Sequence, residues 1–171
     1  MTHRGQAGSR RPGRIVSGGQ TGVDRAALDF AIAHDIPYAG WCPRGGWAED
    51  HPVPPGLLGA YPRLRETPSA DPEQRTRWNV RDSDATLIVA FGGGGRVSPG
   101  TATTETAAAE LERPLLRLDA SDLDRDSARA AIERLLSALG PSPALNVAGP
   151  RQSEQPQAYD AALRLLGLLL G

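Results

Sequence analysis

The sequence predicts an α/β protein: a three-layer, doubly wound, mostly parallel sheet with helices on both faces. Three observations point there. Short apolar runs of strand length alternate with segments whose apolar residues recur every three or four positions. Two of the strand-like runs pass through glycine-rich turns directly into a helical pattern. Ala85 to Phe91 is apolar and β-branched in its middle, as suits a parallel strand covered on both faces. Such an alternation closes through right-handed crossovers.

In chain order, Arg14-Ile15-Val16 is a short strand leading into Ser17-Gly18-Gly19-Gln20-Thr21-Gly22, after which Val23, Ala26, Ala27, Phe30 and Ala31 mark one apolar stripe of a helix ended by Ile36-Pro37. Tyr38 to Cys42 reads as a second strand. From Pro43 to Asp71 prolines and glycines break the pattern into a long irregular excursion, with a short edge strand near Arg63 to Thr67. Asp71-Pro72 starts a helix that runs to about Arg81. Ala85 to Phe91 is then the expected central strand, succeeded by Gly92-Gly93-Gly94-Gly95 and a helix over 102–111. A strand over 114–118, a helix over 126–139, a strand over 144–148 and a closing helix over 155–170, capped by Ser153, complete the chain.

With 171 residues the chain fits one domain that buries about 70% of its unfolded surface. Residues 1–13, with Arg4, Arg10 and Arg11 but no apolar stretch, are predicted to be a disordered tail rather than a secretory signal, which leaves 14–171 as a single ligand-binding domain. No apolar run approaches the ~20 residues of a membrane span. Twenty acidic residues against 19 basic ones give a net charge of −1, which excludes the global positive field of a nucleic-acid binder. All the basic residues are arginine, so lysine nucleophiles, Schiff bases and phosphate-loop lysines are excluded. One cysteine, Cys42, and three histidines, His3, His34 and His51, offer no zinc-type spacing, and a reduced, cytoplasmic protein without a structural metal is expected.

In an open parallel sheet, ligands sit beyond the carboxyl ends of the strands where strand order reverses, so the loops leaving those ends carry the site. The first, Ser17 to Gly22, is either a plain tight turn or a cradle whose amides and helix dipole receive an anion, with Thr21 as a hydroxyl donor and Arg25 on phosphate. Asp24 would then orient Arg25 or meet a sugar hydroxyl. The second offers Gly92, Gly93, Gly100, Thr101, Thr103 and Thr104. Glu105 beside it has no serine or threonine three residues earlier, so a capping box does not explain it; it is either a solvated acid or a functional one. The third presents Gly149 and Arg151, whose guanidinium can grip phosphate in two bonds. Arg44, Glu49, Asp50, Asn79, Arg81, Asp82 and Asp84 are further polar candidates. Trp47 is available to stack on a ring, whereas Trp41 and Cys42 read as core, His34 as a dipole-facing surface residue and His51 as a residue without a partner. On this reading Gly19→Val abolishes ligand binding and leaves the fold intact.

Four ordered motifs carry a resemblance. They are Ile15 to Asp29 with its Ser-Gly-Gly-Gln-Thr-Gly-Val-Asp-Arg run, Gly40-Trp41-Cys42-Pro43-Arg44-Gly45 with Ala48-Glu49-Asp50, Trp78 to Asp84, and Leu145 to Arg151. From about Ile15 to the carboxyl terminus the chain resembles the molybdenum carrier family, a circularly permuted YpsA branch of the SLOG superfamily. The resemblance implies a Rossmann-like fold, a phosphate-bearing pterin or nucleotide-like ligand with molybdenum cofactor (molybdopterin) as the candidate, and a homo-oligomer. Its catalytic relatives, Lonely-Guy-type phosphoribohydrolases, carry Pro-Gly-Gly-x-Gly-Thr-x-x-Glu. Here Gly100-Thr101 is kept, Thr104 stands where the glutamate falls, and Glu105 comes one residue late. A carrier is therefore the leading expectation; the alternative is a nucleotide-processing hydrolase that uses Glu105.

Overall fold

The structure, a computed structural model, describes residues 10–93 and 97–171. Of the expected disordered tail, residues 1–9 lie outside the described residues, whereas the last four residues are placed on the domain. Arg10 donates to the Ser137 carbonyl at 3.2 Å and Gly13 N–H to that of Pro143 at 2.9 Å.

Among the described residues the elements are β1 (Arg14–Val16), α1 (Val23–Ala33), β2 (Tyr38–Ala39), β3 (Trp41–Cys42), α2 (Leu57–Ala60), β4 (Arg65–Glu66), α3 (Pro72–Arg81), β5 (Ala85–Ala90), α4 (Pro99–Glu110), β6 (Leu115–Asp119), α5 (Arg125–Ala138), β7 (Ala144–Ala148) and α6 (Ala158–Leu170). The main sheet has the order β2-β1-β7-β5-β6, and every pairing in it is parallel. The fold class is thus the predicted three-layer α/β arrangement. β5 is interior and buried along its whole length, as its sequence demands, but β7 rather than β5 occupies the centre.

The main core lies between the sheet and α1, α5 and α6, where Phe30, Leu87, Ile132, Leu145 and Leu166 are among the fully or almost fully buried side chains. The opposite face is covered by α3 against α4 through a thinner layer of Val80, Ala107 and Ala108. Small residues there let α4 lie close. Asp71 caps α3 by accepting the Glu73 N–H, with Pro72 in the first helical position as predicted.

Three expectations are corrected. The strand expected over Tyr38 to Cys42 is broken at Gly40, so that β2 pairs with β1 while β3 pairs with β4 in a separate two-stranded sheet. Gly40 has φ +149°, and a Cβ there would stand 1.9 Å from the Ser17 carbonyl oxygen, so the chain turns where only glycine fits. The helix expected from Ala102 begins at Pro99, with Ser98 as its cap, and Gly100 and Thr101 are therefore helical. α6 begins at Ala158, and Ser153 does not cap it. The excursion from Pro43 to Asp71 is ordered around a second small core of Leu28, Cys42, Ala48, Leu57 and Leu64.

No helix among the described residues is long and apolar enough to cross a membrane. Gly40→Ala is expected to cost about 3 kcal/mol in urea unfolding, since it adds both backbone strain and an overlap with Ser17. A loss under about 1 kcal/mol, the ordinary glycine effect, would show that the turn relaxes easily.

Candidate functional site

α1 leads from β1 toward one edge of the sheet and α4 leads from β5 toward the other, so strand order reverses over β7 and a crevice opens there. The three loops predicted to meet at this edge do meet. Pro150 O accepts the Val23 N–H at 3.3 Å, and Thr21 Oγ1 accepts the Gln152 N–H at 3.0 Å. Gly149 has no room for a side chain, because a Cβ would sit 2.6 Å from both Val89 O and Val23 Cγ2.

Within the first loop two of the amides expected to face a ligand are engaged by the chain itself. Gly19 N–H donates to Ser17 Oγ at 3.3 Å and Thr21 N–H to Gln20 Oε1 at 3.0 Å. Gly19, at φ +71°, turns its α-carbon toward Leu64, Leu57 and Leu28, so a valine there would press on the second core. Gly19→Val therefore disturbs the fold, contrary to the expectation from sequence.

Charge pairing also differs from the expectation that Asp24 orients Arg25. Arg25 forms a two-bond pair with Asp50 at 2.8 Å each and donates from Nε to Gly19 O at 3.1 Å, which fastens the irregular segment to the loop. Asp24 pairs instead with Arg75 of α3 at 3.0 Å, with side chains only 7% and 12% exposed. Burial pushes the Asp24 carboxyl above the ordinary aspartate range, and Arg75 works against that rise. The contact exists because residue 18 is glycine: a Cβ on Gly18 would fall 1.9 Å from Arg75 Nη1. Arg75 Nε is buried and has no hydrogen-bond partner among the described residues.

Glu49 fastens three segments together. It accepts the Thr21 hydroxyl, the Ser153 hydroxyl at 2.6 Å and the Ser153 N–H at 3.2 Å. Partial burial raises its carboxyl, but the Ser153 and Thr21 bonds outweigh this and hold it below the ordinary glutamate value. Ser153, expected as a helix cap, spends its hydroxyl here.

At the second loop Gly92 N–H donates to Ser121 Oγ at 3.1 Å and Gly93 N–H to the Asp119 carboxylate, while Gly94 and Gly95 lie outside the described residues. Ser98 accepts the Thr101 N–H at 3.2 Å. Thr104 is buried and donates to Gly100 O at 2.9 Å. Because α4 starts at Pro99, Glu105 lies in its second turn, where it pairs with Arg117 of β6 at 2.7 Å.

Two cavities adjoin at Ser98 and Glu154. The inner one, about 30 Å³, has Gln20, Asp24, Arg75, Gly100, Thr104 and Arg151 in its wall; it has room for one water or one anionic oxygen. The outer one, about 450 Å³, is walled by Phe91, Val97, Pro99, Thr101, Arg117 and Gln155. Arg151 is partly held by Glu154, whose carboxylate accepts the Arg151 N–H at 3.1 Å and stands 3.8 Å from its Nε.

Other candidates lie elsewhere. Arg44 is exposed in a single turn over Arg44–Gly46 and lines neither cavity. Asn79 holds the Trp41 backbone in two bonds, Arg81 pairs with Asp82, and Asp84 accepts the Ala144 N–H; all these bonds are structural. Trp41 packs edge-on against Trp78. His34 ends α1 with its ring on Phe30. His51 Nδ1 stands 3.0 Å from Asp50 Oδ1 but makes no hydrogen bond with it or with any other described residue. Cys42 is buried, as expected, and burial pushes its thiol up to about 11. No group of three or more metal-ligating side chains occurs among the described residues. Sequence reasoning missed Arg75, Arg117, Asp119 and Glu154. A signal for Arg75 was present, since Thr76 and Asn79 put polar groups on the face α3 buries and Arg75 sits beside them.

The model of the circularly permutated YpsA SLOG family matches residues 15–170. The chain belongs to this family. It is also similar to the crystal structure of a protein named "Putative molybdenum carrier protein" from Syntrophus aciditrophicus SB, with 41% identity over 95% of this chain and 97% of that one and a TM-score of 0.84. No curated protein matches the chain. As a member of the circularly permutated YpsA family, it places its crevice among the motifs that carried the resemblance, with α3 contributing the buried cation.

Arg75→Met is expected to cost roughly 3–5 kcal/mol at pH 7, because it leaves a buried carboxylate without its partner. The deficit is expected to shrink as pH falls. Asp24 titrates above its unfolded value already, loss of Arg75 raises it further, and protonation removes the uncompensated charge. Urea unfolding at several pH values checks this, and a deficit that does not change with pH would mean that Arg75 acts through packing alone.

Proposed function

We propose that the chain is a carrier for a phosphate-bearing pterin, with molybdenum cofactor as its cargo. The single observation that carries this reading is the convergence of Arg75 and Arg151 on a cavity of one-oxygen size, beside a larger cavity bordered by Phe91 and Val97. In this reading a phosphate oxygen enters the inner cavity between the two guanidiniums at the amino end of α4, and a flat ring system occupies the outer one. Arg117 and Thr101 border the ring. The name of the similar protein from Syntrophus aciditrophicus supports the choice of cargo. The first-loop residues, with Asp24 and Arg25, act mainly as the frame that fixes Arg75 and the β7–α6 loop, and of them only Gln20 and Asp24 reach the wall of the inner cavity.

A carrier is favoured over a phosphoribohydrolase by the residues that face the crevice. The position that the hydrolase motif gives to glutamate is Thr104, which lines the inner cavity, while the Glu105 carboxylate is drawn to Arg117. The reading includes a cytoplasmic setting and a homo-oligomer. Its assembly surface is the outer edge of the sheet, where Leu115 of β6 and nearby Leu111 are exposed.

Native mass spectrometry of protein purified from its own cells is expected to retain a pterin-sized mass. In calorimetry with a pterin monophosphate, Arg151→Ala is expected to weaken binding by roughly 1.5–3 kcal/mol, and removal of the phosphate from the ligand to abolish most of that difference. Equal binding of the phosphorylated and unphosphorylated pterin would sink the phosphate assignment. Glu105→Gln is expected to change affinity by less than about tenfold, ~1.4 kcal/mol. Release of free base from a nucleoside monophosphate by wild type, lost in Glu105→Gln, would establish the hydrolase instead.

A further inference from the structure

We propose that a second groove, on the face of β1 turned away from α1, binds the phosphate chain of a small soluble molecule bearing a diphosphate or triphosphate. Ile15 of β1 points into the core beside α1, so Arg14 and Val16 face the other way. There the break at Gly40 leaves an open groove of about 290 Å³ between β1, the β3–β4 pair and the carboxyl end of α3, with Arg14, Arg63, Arg65, Trp41 and Asp82 in its wall.

The charge in this groove is in excess on the positive side: three arginines share its wall with one carboxylate, which Arg14 feels across the groove. Its one carboxylate, Asp82, is already taken: Arg81 donates to it at 2.7 and 3.0 Å and Trp41 Nε1–H at 2.7 Å, which holds it below the usual aspartate value. Arg14, Arg63 and Arg65 form no ion pair among the described residues. Arg63 lies over the Tyr38 ring at 5.7 Å and Arg65 over that of Trp41 at 5.9 Å, contacts that position a guanidinium without neutralising it. Three forks without a close ion pair therefore share one concavity in a chain whose net charge is −1. Each fork matches two oxygens of a phosphate, and a concave wall concentrates their field. The volume, at the lower end of small-molecule sites, suits a phosphate chain and not a whole nucleotide. The groove uses the second half of α3, while the inner cavity uses Arg75 in its first half, so the two sites are separable.

Sodium triphosphate is the probe, and the readout is the indole N–H resonance of Trp41, one of three tryptophans in the chain. Triphosphate is expected to shift that resonance saturably in wild type and equally in Arg151→Ala, which keeps this test independent of the crevice. Arg63→Glu combined with Arg65→Glu is expected to weaken the response by about a hundredfold or more, the loss of two charge-assisted contacts. Should that variant not fold, Arg14→Gln and Arg63→Gln are each expected to weaken it about tenfold. A Trp41 resonance that does not move, or full affinity in the folded variants, overturns the proposal. It is also overturned if an oligoglutamate peptide or an RNA binds the groove more tightly than triphosphate, or if charge reversal changes the oligomeric mass; those results would assign the groove to a macromolecule or to a second copy.

Discussion

The organisation of the crevice depends on one buried ion pair. Asp24 sits at the start of α1, and removing its carboxylate from water is costly enough to raise its protonation point even with a guanidinium at 3.0 Å. A pair of this kind stabilises little in net terms, but each half is strongly unfavourable without the other. It therefore dictates geometry. α3 must approach the first loop closely enough for Arg75 to reach across, and residue 18 must lack a side chain. Satisfying Asp24 sets the placement of α3 against the first loop, and with it one wall of the inner cavity.

The same accounting of polar groups explains how the loops are tied together. Main-chain N–H groups in tight turns need partners, and here carboxylates and hydroxyls from distant segments provide them: Glu49 for Ser153, Asp119 for Gly93 and Ser121 for Gly92. Glu49 in addition takes the Thr21 and Ser153 hydroxyls, so that the first loop, the irregular segment and the β7–α6 loop share one acceptor. A site fixed in this way loses little freedom when a ligand enters. It also shifts weight in recognition to side chains, because the Gly19, Thr21, Gly92 and Gly93 amides are spent on the frame.

Legibility in the sequence tracked the range of the interaction. Strand and helix order, the parallel character of the sheet and the edge at which the loops meet were all readable, since they rest on periodicity and on glycine and proline placed locally. The failures were non-local. Gly40 looked like one more residue of a strand because the clash that makes it a corner is with Ser17, 23 positions earlier. Asp24 was matched to its neighbour Arg25, whereas folding gave it Arg75, 51 positions away, and gave Arg25 to Asp50. Nothing in a local window distinguishes those pairings. The polar groups on the buried face of α3 were the one local clue, and they required asking why a helix facing the core should carry an arginine beside them.

A chain without lysine has only guanidiniums as permanently charged side-chain cations, and it arranges them in two different ways. Arg75 is almost wholly buried, its charge is balanced by Asp24, and it lines a cavity of one-oxygen size with one N–H still unpartnered, so the field it presents is short-ranged and little screened. Arg14, Arg63 and Arg65 are exposed and form no close ion pair among the described residues, and the latter two rest on aromatic rings, so their field reaches into solvent and weakens as salt rises. In the proposed reading the first arrangement would select by shape, admitting an oxygen that fits between fixed donors. The second attracts by charge and tolerates variation in the group that the phosphates are attached to. That contrast is the one a protein would need in order to hold one cargo specifically in the crevice while responding, through a separate surface on the same α3, to a more general class of phosphorylated molecule.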